Sequence, residues 1–113
     1  MKLSHHIEGK VNIITIEGEL LGDAVLSFET SVFELVQKKE VQAVLVNLER
    51  IMFLDSFGIG VIVNVFKKLQ QAQIGFGLFS LTREVLESFQ ITCLDQMIPI
   101  YETKEEALAN YTQ

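Results

Sequence analysis

Cysteine and proline are nearly absent from this chain, and tryptophan is missing altogether. The single cysteine, Cys93, excludes an internal disulfide. Its neighbours Ile91 and Leu94 suggest a buried thiol. With one proline and no low-complexity tract, nothing reads as a linker or a disordered tail. Positive charge is also scarce: 9 Lys and Arg stand against 15 Asp and Glu, a formal net charge of −6. Lys38-Lys39 and Lys67-Lys68 are isolated pairs at helix ends, not the cluster that a phosphate backbone requires. The expected partners therefore include no nucleic acid and no membrane surface. No apolar run approaches the roughly 20 residues of a membrane span. His5, His6 and Glu8 follow Lys2 and interrupt any apolar core of a signal peptide, so an intracellular protein is expected.

What remains is strongly apolar. Hydrophobic residues make up 49% of the 113, with eight Phe, enough for one compact core in a single domain spanning 1–113. Leu3 to Ile7 reads as a short edge strand, Glu8-Gly9-Lys10 as a tight turn, and Val11 to Ile16 as a second strand antiparallel to the first. Glu17 to Gly22 reads as a loop, with Asp23 capping a helix from Ala24 to Lys38. Val25, Phe28, Val32, Leu35 and Val36 form the apolar stripe of that helix. Val41 to Leu48 is a central strand. A helix from Ser56 to about Gln71, a strand at Ile74–Phe79, a helix capped by Thr82, a strand at Met97–Tyr101 and a helix to about Asn110 complete the chain. Thr103 and Glu106 fit a capping box at the start of the last helix. Strands alternating with helices after an opening hairpin imply an α/β fold with a mostly parallel sheet.

The helix after Asp55-Ser56 carries the candidate site. Gly60, Asn64, Lys67, Lys68 and Gln71 fall on one narrow stripe, with Ser56 at its head. Gly58, Ile62, Val65 and Leu69 fall on another face, expected to meet the sheet. Each glycine costs about 1 kcal/mol against Ala inside a helix, so two in the first turns need a reason. Gly58 allows close packing, and Gly60 lets another chain approach beside Ser56. A serine at a helix N-terminus suits phosphorylation, because the free N–H groups and the helix dipole accept the added charge. Asp and Ser are equally common as plain N-caps, and on composition alone Asp55-Ser56 reads as one.

The run Ile51-Met52-Phe53-Leu54-Asp55-Ser56-Phe57-Gly58-Ile59-Gly60-Val61-Ile62 resembles the signature of STAS domains, specifically bacterial anti-sigma factor antagonists. Gly18-Glu19-Leu20 resembles the loop that follows the second strand of that family. The resemblance implies a right-handed β-α superhelix with parallel strands in sequence order and an N-terminal edge hairpin. It also implies a cytoplasmic, non-enzymatic partner switch without cofactor or metal. In that family the unphosphorylated form binds an anti-sigma factor, usually an ATP-dependent serine kinase, and so releases the sigma factor. Phosphorylation, here expected at Ser56, ends the binding, and a metal-dependent serine phosphatase restores it. Asp55 is expected to support the switch, and Phe57, Gly60, Asn64 and Lys67 to contact the partner. Phe57 departs from the family pattern, where a small residue is common, and signals a different partner or a pocket matched to the ring.

Three other readings compete. A STAS scaffold or transporter-associated subunit would keep the fold and use Ser56 only as a cap, with a constitutive partner. A receiver domain would use Asp55 as phospho-acceptor with Ser80 and Lys104, but no acidic pair follows the first strand. An enzyme lacks support: there is no phosphate-binding Gly-rich Lys-Ser/Thr loop, and no nucleophile-base set. His5 and His6 are adjacent on a strand and point to opposite faces, so they read as surface positions.

Overall fold

The computed structural model describes residues 2–20, 23–38 and 40–111; the side chains of Leu20, Asp23, Lys38 and Met52 are outside that description. The elements in chain order are β1 (Lys2–Glu8), β2 (Val11–Leu20), α1 (Asp23–Lys38), β3 (Ala43–Leu54), α2 (Ser56–Gln71), β4 (Gly75–Phe79), α3 (Arg83–Ile91), a 3-10 turn (Leu94–Gln96), β5 (Ile100–Tyr101) and α4 (Lys104–Ala109). The five strands form one sheet in the order β1-β2-β3-β4-β5. β1 and β2 are antiparallel, and every later pairing is parallel. The opening hairpin turns on Gly9, whose φ of 64° suits the first position of a two-residue turn.

The central strands are apolar on both faces because both faces are covered. Ile14, Ile16, Val44, Val46, Leu48, Phe76 and Leu78 pack with Val25, Phe28 and Val32 of α1, Ile62 and Val65 of α2, and Phe89 of α3. Val11, Ile13, Ala43, Leu45 and Phe79 face the other way, against Ala107 of α4, with Tyr101 and Tyr111 at the margin. Gly77 lies on this second face, where a Cβ would come within 2.9 Å of the Tyr101 ring.

Several boundaries differ from those expected. Glu17 to Leu20, expected as a loop, continues β2 alongside Arg50 to Leu54 of β3. The apolar segment at 51–54 is thus strand, not a separate lead-in. The cap expected of Asp23 lies outside the described side chains, and Asp23 itself is the first residue of α1. The last strand shrinks to Ile100–Tyr101, because Leu94–Gln96 winds into the 3-10 turn. Cys93 is exposed, not buried, and Ile91 beside it is 82% exposed. Ile91 ends α3 two positions from buried Phe89, on a different face of the helix, and Cys93 lies past the helix end with φ 60°. At α4, Thr103 caps the Glu106 N–H as expected, but the Glu106 carboxylate accepts from Glu102 N–H instead of closing the box on Thr103.

Candidate functional site

β3 outruns β2 by two residues, and this positions the site. The pairing goes from Thr15–Asn47 to Glu17–Arg50, then from Gly18–Ile51 to Glu19–Phe53. Each step inserts one extra residue into β3, a bulge that reverses which face the following side chains take. The core-facing residues accordingly run Val44, Val46, Leu48, then Ile51, then Leu54, at steps of two, two, three and three. The Asn47 side chain accepts the Glu49 N–H at 2.9 Å at the first irregularity. At the second, Phe53 is left 55% exposed at the end of the strand.

Leu54 is buried, and the chain turns directly into α2. Asp55 is the N-cap: its backbone is extended, and Oδ1 accepts the Gly58 N–H at 2.8 Å. That leaves Ser56 as the first helical residue, exposed, with its hydroxyl in no hydrogen bond among the described residues. The ambiguity of the Asp-Ser pair is thereby resolved: the capping acceptor is Asp55. Beyond the Asp55 carboxylate no acidic side chain lies in the first turn of α2, so that one cap is the negative charge set against its N-terminal dipole.

The buried face of α2 is Gly58, Val61, Ile62, Val65, Phe66 and Leu69. The opposite stripe contains the expected contact residues, in three different situations. Phe57 is 50% exposed. Gly60 is exposed, and a Cβ added there would meet nothing within 4 Å. Lys67 is exposed, while Lys68 lies over the Phe33 ring of α1 at 5.1 Å. Asn64 is turned sideways: its amide donates to Glu29 of α1 at 2.6 Å and is half-buried. Phe53 was not singled out from the sequence. It joins Leu54 in lining a shallow hollow with Glu84, Val85 and Ser88 of α3, about 100 Å³ in volume.

The residues invoked by the receiver reading are otherwise engaged. Ser80 donates to the Glu102 carbonyl at 3.3 Å, and Lys104 pairs with Glu8 of β1 at 3.3 Å. The sheet order also differs from the 2-1-3-4-5 order of receiver folds. Among the described residues no group of His, Cys, Asp and Glu could hold a metal ion, and no helix is long and apolar enough to cross a membrane.

An N-terminal hairpin on an otherwise parallel sheet, with a capped helix presenting an exposed serine, defines a small α/β domain. The STAS domain family matches residues 3–107, and the chain belongs to that family. An anti-sigma-B factor antagonist of Listeria monocytogenes is 35% identical over 77 residues, 68% of each chain. A Thermotoga maritima crystal structure, provisionally assigned as an anti-sigma factor antagonist, superposes with a TM-score of 0.89. It is 27% identical and is covered over 95% of its length by 98% of this chain. The anti-sigma factor antagonist SpoIIAA in its unphosphorylated form has the same fold, with a TM-score of 0.81 at 23% identity over 96% of this chain and 95% of that one. SpoIIAA has also been solved phosphorylated, with a TM-score of 0.74 at 22% identity, over 96% and 98% of the two chains. By sequence and fold, this chain falls within the anti-sigma factor antagonists.

Proposed function

We propose that this protein is a phosphorylation-controlled anti-sigma factor antagonist, with Ser56 as the modified residue. The observation that carries this reading is the division of labour at the head of α2. Asp55 supplies the capping acceptor, so the Ser56 hydroxyl is exposed and not used by the fold. A kinase can take it without breaking a structural bond. Phe53 and Phe57, both about half exposed, flank it along the chain and offer apolar anchorage to a partner. The partner is an anti-sigma factor with serine kinase activity, bound over Phe57, Gly60 and Lys67 while Ser56 is unmodified. A phosphate at Ser56 adds roughly −1.5 to −2 charge at a helix terminus that tolerates it, so the domain stays folded while the interface is blocked. A metal-dependent serine phosphatase resets the switch. Asp55 holds the first turn in place through both states. That a protein of the same fold has been solved in phosphorylated and unphosphorylated forms supports a switch within one architecture.

The test begins with the anti-sigma factor kinase of the source cell and ATP, with the modified residue mapped by mass spectrometry. Modification at Ser56 is expected, and loss of it in Ser56→Ala. Titration then compares Ser56→Ala, expected to bind as the unmodified protein does, with Ser56→Asp, expected to bind at least about tenfold more weakly, a loss of about 1.4 kcal/mol. Equal affinity of the two variants points instead to a constitutive STAS scaffold in which Ser56 is not the control.

A further inference from the structure

The free edge of β1 carries an interaction surface that the switch does not use. Among the described residues β1 pairs only with β2, leaving its other side as the edge of the sheet. The two-residue turn closes on the Glu8–Val11 pair. Antiparallel ladders alternate hydrogen-bonded and non-bonded pairs, and a two-residue hairpin closes on a bonded one. Lys2, Ser4, His6 and Glu8 therefore direct their N–H and C=O groups to β2. Leu3, His5 and Ile7 direct theirs outward, with no partner among the described residues.

This outward row is self-complementary. If a second β1 runs antiparallel with His5 opposite His5, residue i faces residue 10 − i. The outward-directed residues then meet one another: Leu3 faces Ile7, His5 faces its own copy, and Ile7 faces Leu3. All three outward N–H and all three outward C=O groups of each strand find partners. Moving the register two residues either way leaves fewer pairs. The side chains agree with the backbone. Lys2 falls opposite Glu8 at both ends, an opposite-charge cross-strand pair. Ser4 falls opposite His6. Ile7, 43% exposed in the single chain, falls beside Leu3, which already packs against the core. Leu3, His5 and Ile7 share the face covered by α1, α2 and α3, since their β2 partners are Ile16, Ile14 and Asn12.

We infer that β1 is a self-association edge, on which two copies of this chain join their sheets through a two-fold axis at His5. Such an interface is isologous, so it closes at the dimer and does not propagate. It rests on one strand per copy, so it belongs to the small, weak and exchanging class. β1 is separated from β3 by β2, so Ser56 at the C-terminal end of β3 is not part of the junction. The switch and the self-association are separable.

The experiment uses the full chain in a Cys93→Ser background. Sedimentation and amide NMR are followed from micromolar to low-millimolar protein. A concentration-dependent dimer is expected, with shifts centred on Leu3, His5 and Ile7. His5→Cys is then oxidised: in the inferred register the two Cα atoms face each other at about 5.5 Å, within disulfide reach. A covalent dimer is expected from His5→Cys and not from Ser4→Cys, which faces His6 of the second copy. His5→Lys places two ammonium groups opposite each other and should weaken the dimer about fivefold without disturbing the β1–β2 ladder. His5→Pro removes an outward donor at an edge position that tolerates proline and should abolish it. Circular dichroism confirms that both variants fold. A monomer at all concentrations, cross-linking as efficient from Ser4→Cys, or a dimer indifferent to both His5 substitutions overturns the inference.

Discussion

The Asn64 amide of α2 donates to the Glu29 carboxylate of α1 at 2.6 Å. This bond joins the helix that presents Ser56 to its neighbour, beside the apolar contact of the same two helices. One N–H of the Asn64 amide is thus engaged with Glu29, which leaves its second N–H and its Oδ1 for another chain. Its place on the polar stripe reflects helix-to-helix bonding as much as partner contact. Hydrogen bonds to charged groups contribute about 1.5–3 kcal/mol. Asn64→Ala is expected to lower the unfolding free energy by about 1–2 kcal/mol, and a double-mutant cycle with Glu29→Ala to show coupling of the same sign. Additive single effects in denaturant titrations would remove this bond from the account.

Loss of the cap at Asp55 should be felt as loss of stability. Asp55→Ala leaves the Gly58 N–H without its acceptor and is expected to cost about 1 kcal/mol in chemical denaturation. Asp55→Asn keeps an acceptor oxygen and should cost less. Ser56→Ala is expected to change stability by no more than about 0.5 kcal/mol, since the hydroxyl is exposed and not in a described bond.

Gly60 separates stability from binding. Its surroundings are open, so Gly60→Ala is expected to raise stability by about 0.5–1 kcal/mol. Gly60→Arg should also leave the domain folded while obstructing the partner. If partner titration finds Gly60→Arg binding at full affinity, the interface lies elsewhere.

The two exposed rings make a parallel case. Phe53 and Phe57 are 55% and 50% exposed. Replacing either with Ala is expected to shift the unfolding midpoint little and to weaken partner binding by about 1–3 kcal/mol, as for aromatic anchors at interfaces. Calorimetric titration alongside thermal melts separates the two effects.

At alkaline pH the Tyr111 side chain should govern part of the stability. Burial, and then its contact with the Tyr101 hydroxyl at 3.3 Å, push its phenol above the ordinary value of 10.0. The folded protein thus keeps a proton that the unfolded chain releases near pH 10. The contribution is fully present below that pH and is lost as pH rises beyond it toward the native value. Denaturation midpoints measured from pH 8 to 11, where the ordinary phenol value of about 10 falls, should decline more steeply for the natural chain than for Tyr111→Phe.

Local pattern was enough for most of the architecture. The β-branched run at Val11–Ile16, the helical spacing from Ala24 and the Thr82 and Thr103 caps each act within a few residues, and each formed where expected. The head of α2 was legible for the same reason: a capping carboxylate and the face of a helix are set by spacing along one chain. The features that failed to appear in the sequence depend on a second element. Strand alternation through 47–54 breaks because β3 gains two residues against β2, a count that exists only once the strands pair. Phe53 is exposed for that reason. Asn64 points to Glu29 because α1 lies beside α2. The sequence by itself determined which residues make each helix and strand and placed Asp55-Ser56 at a helix start. Only the tertiary structure decided that Phe53 is left exposed and that Asn64 turns to Glu29, because each depends on a second element, β2 for the bulged pairing and α1 for the carboxylate.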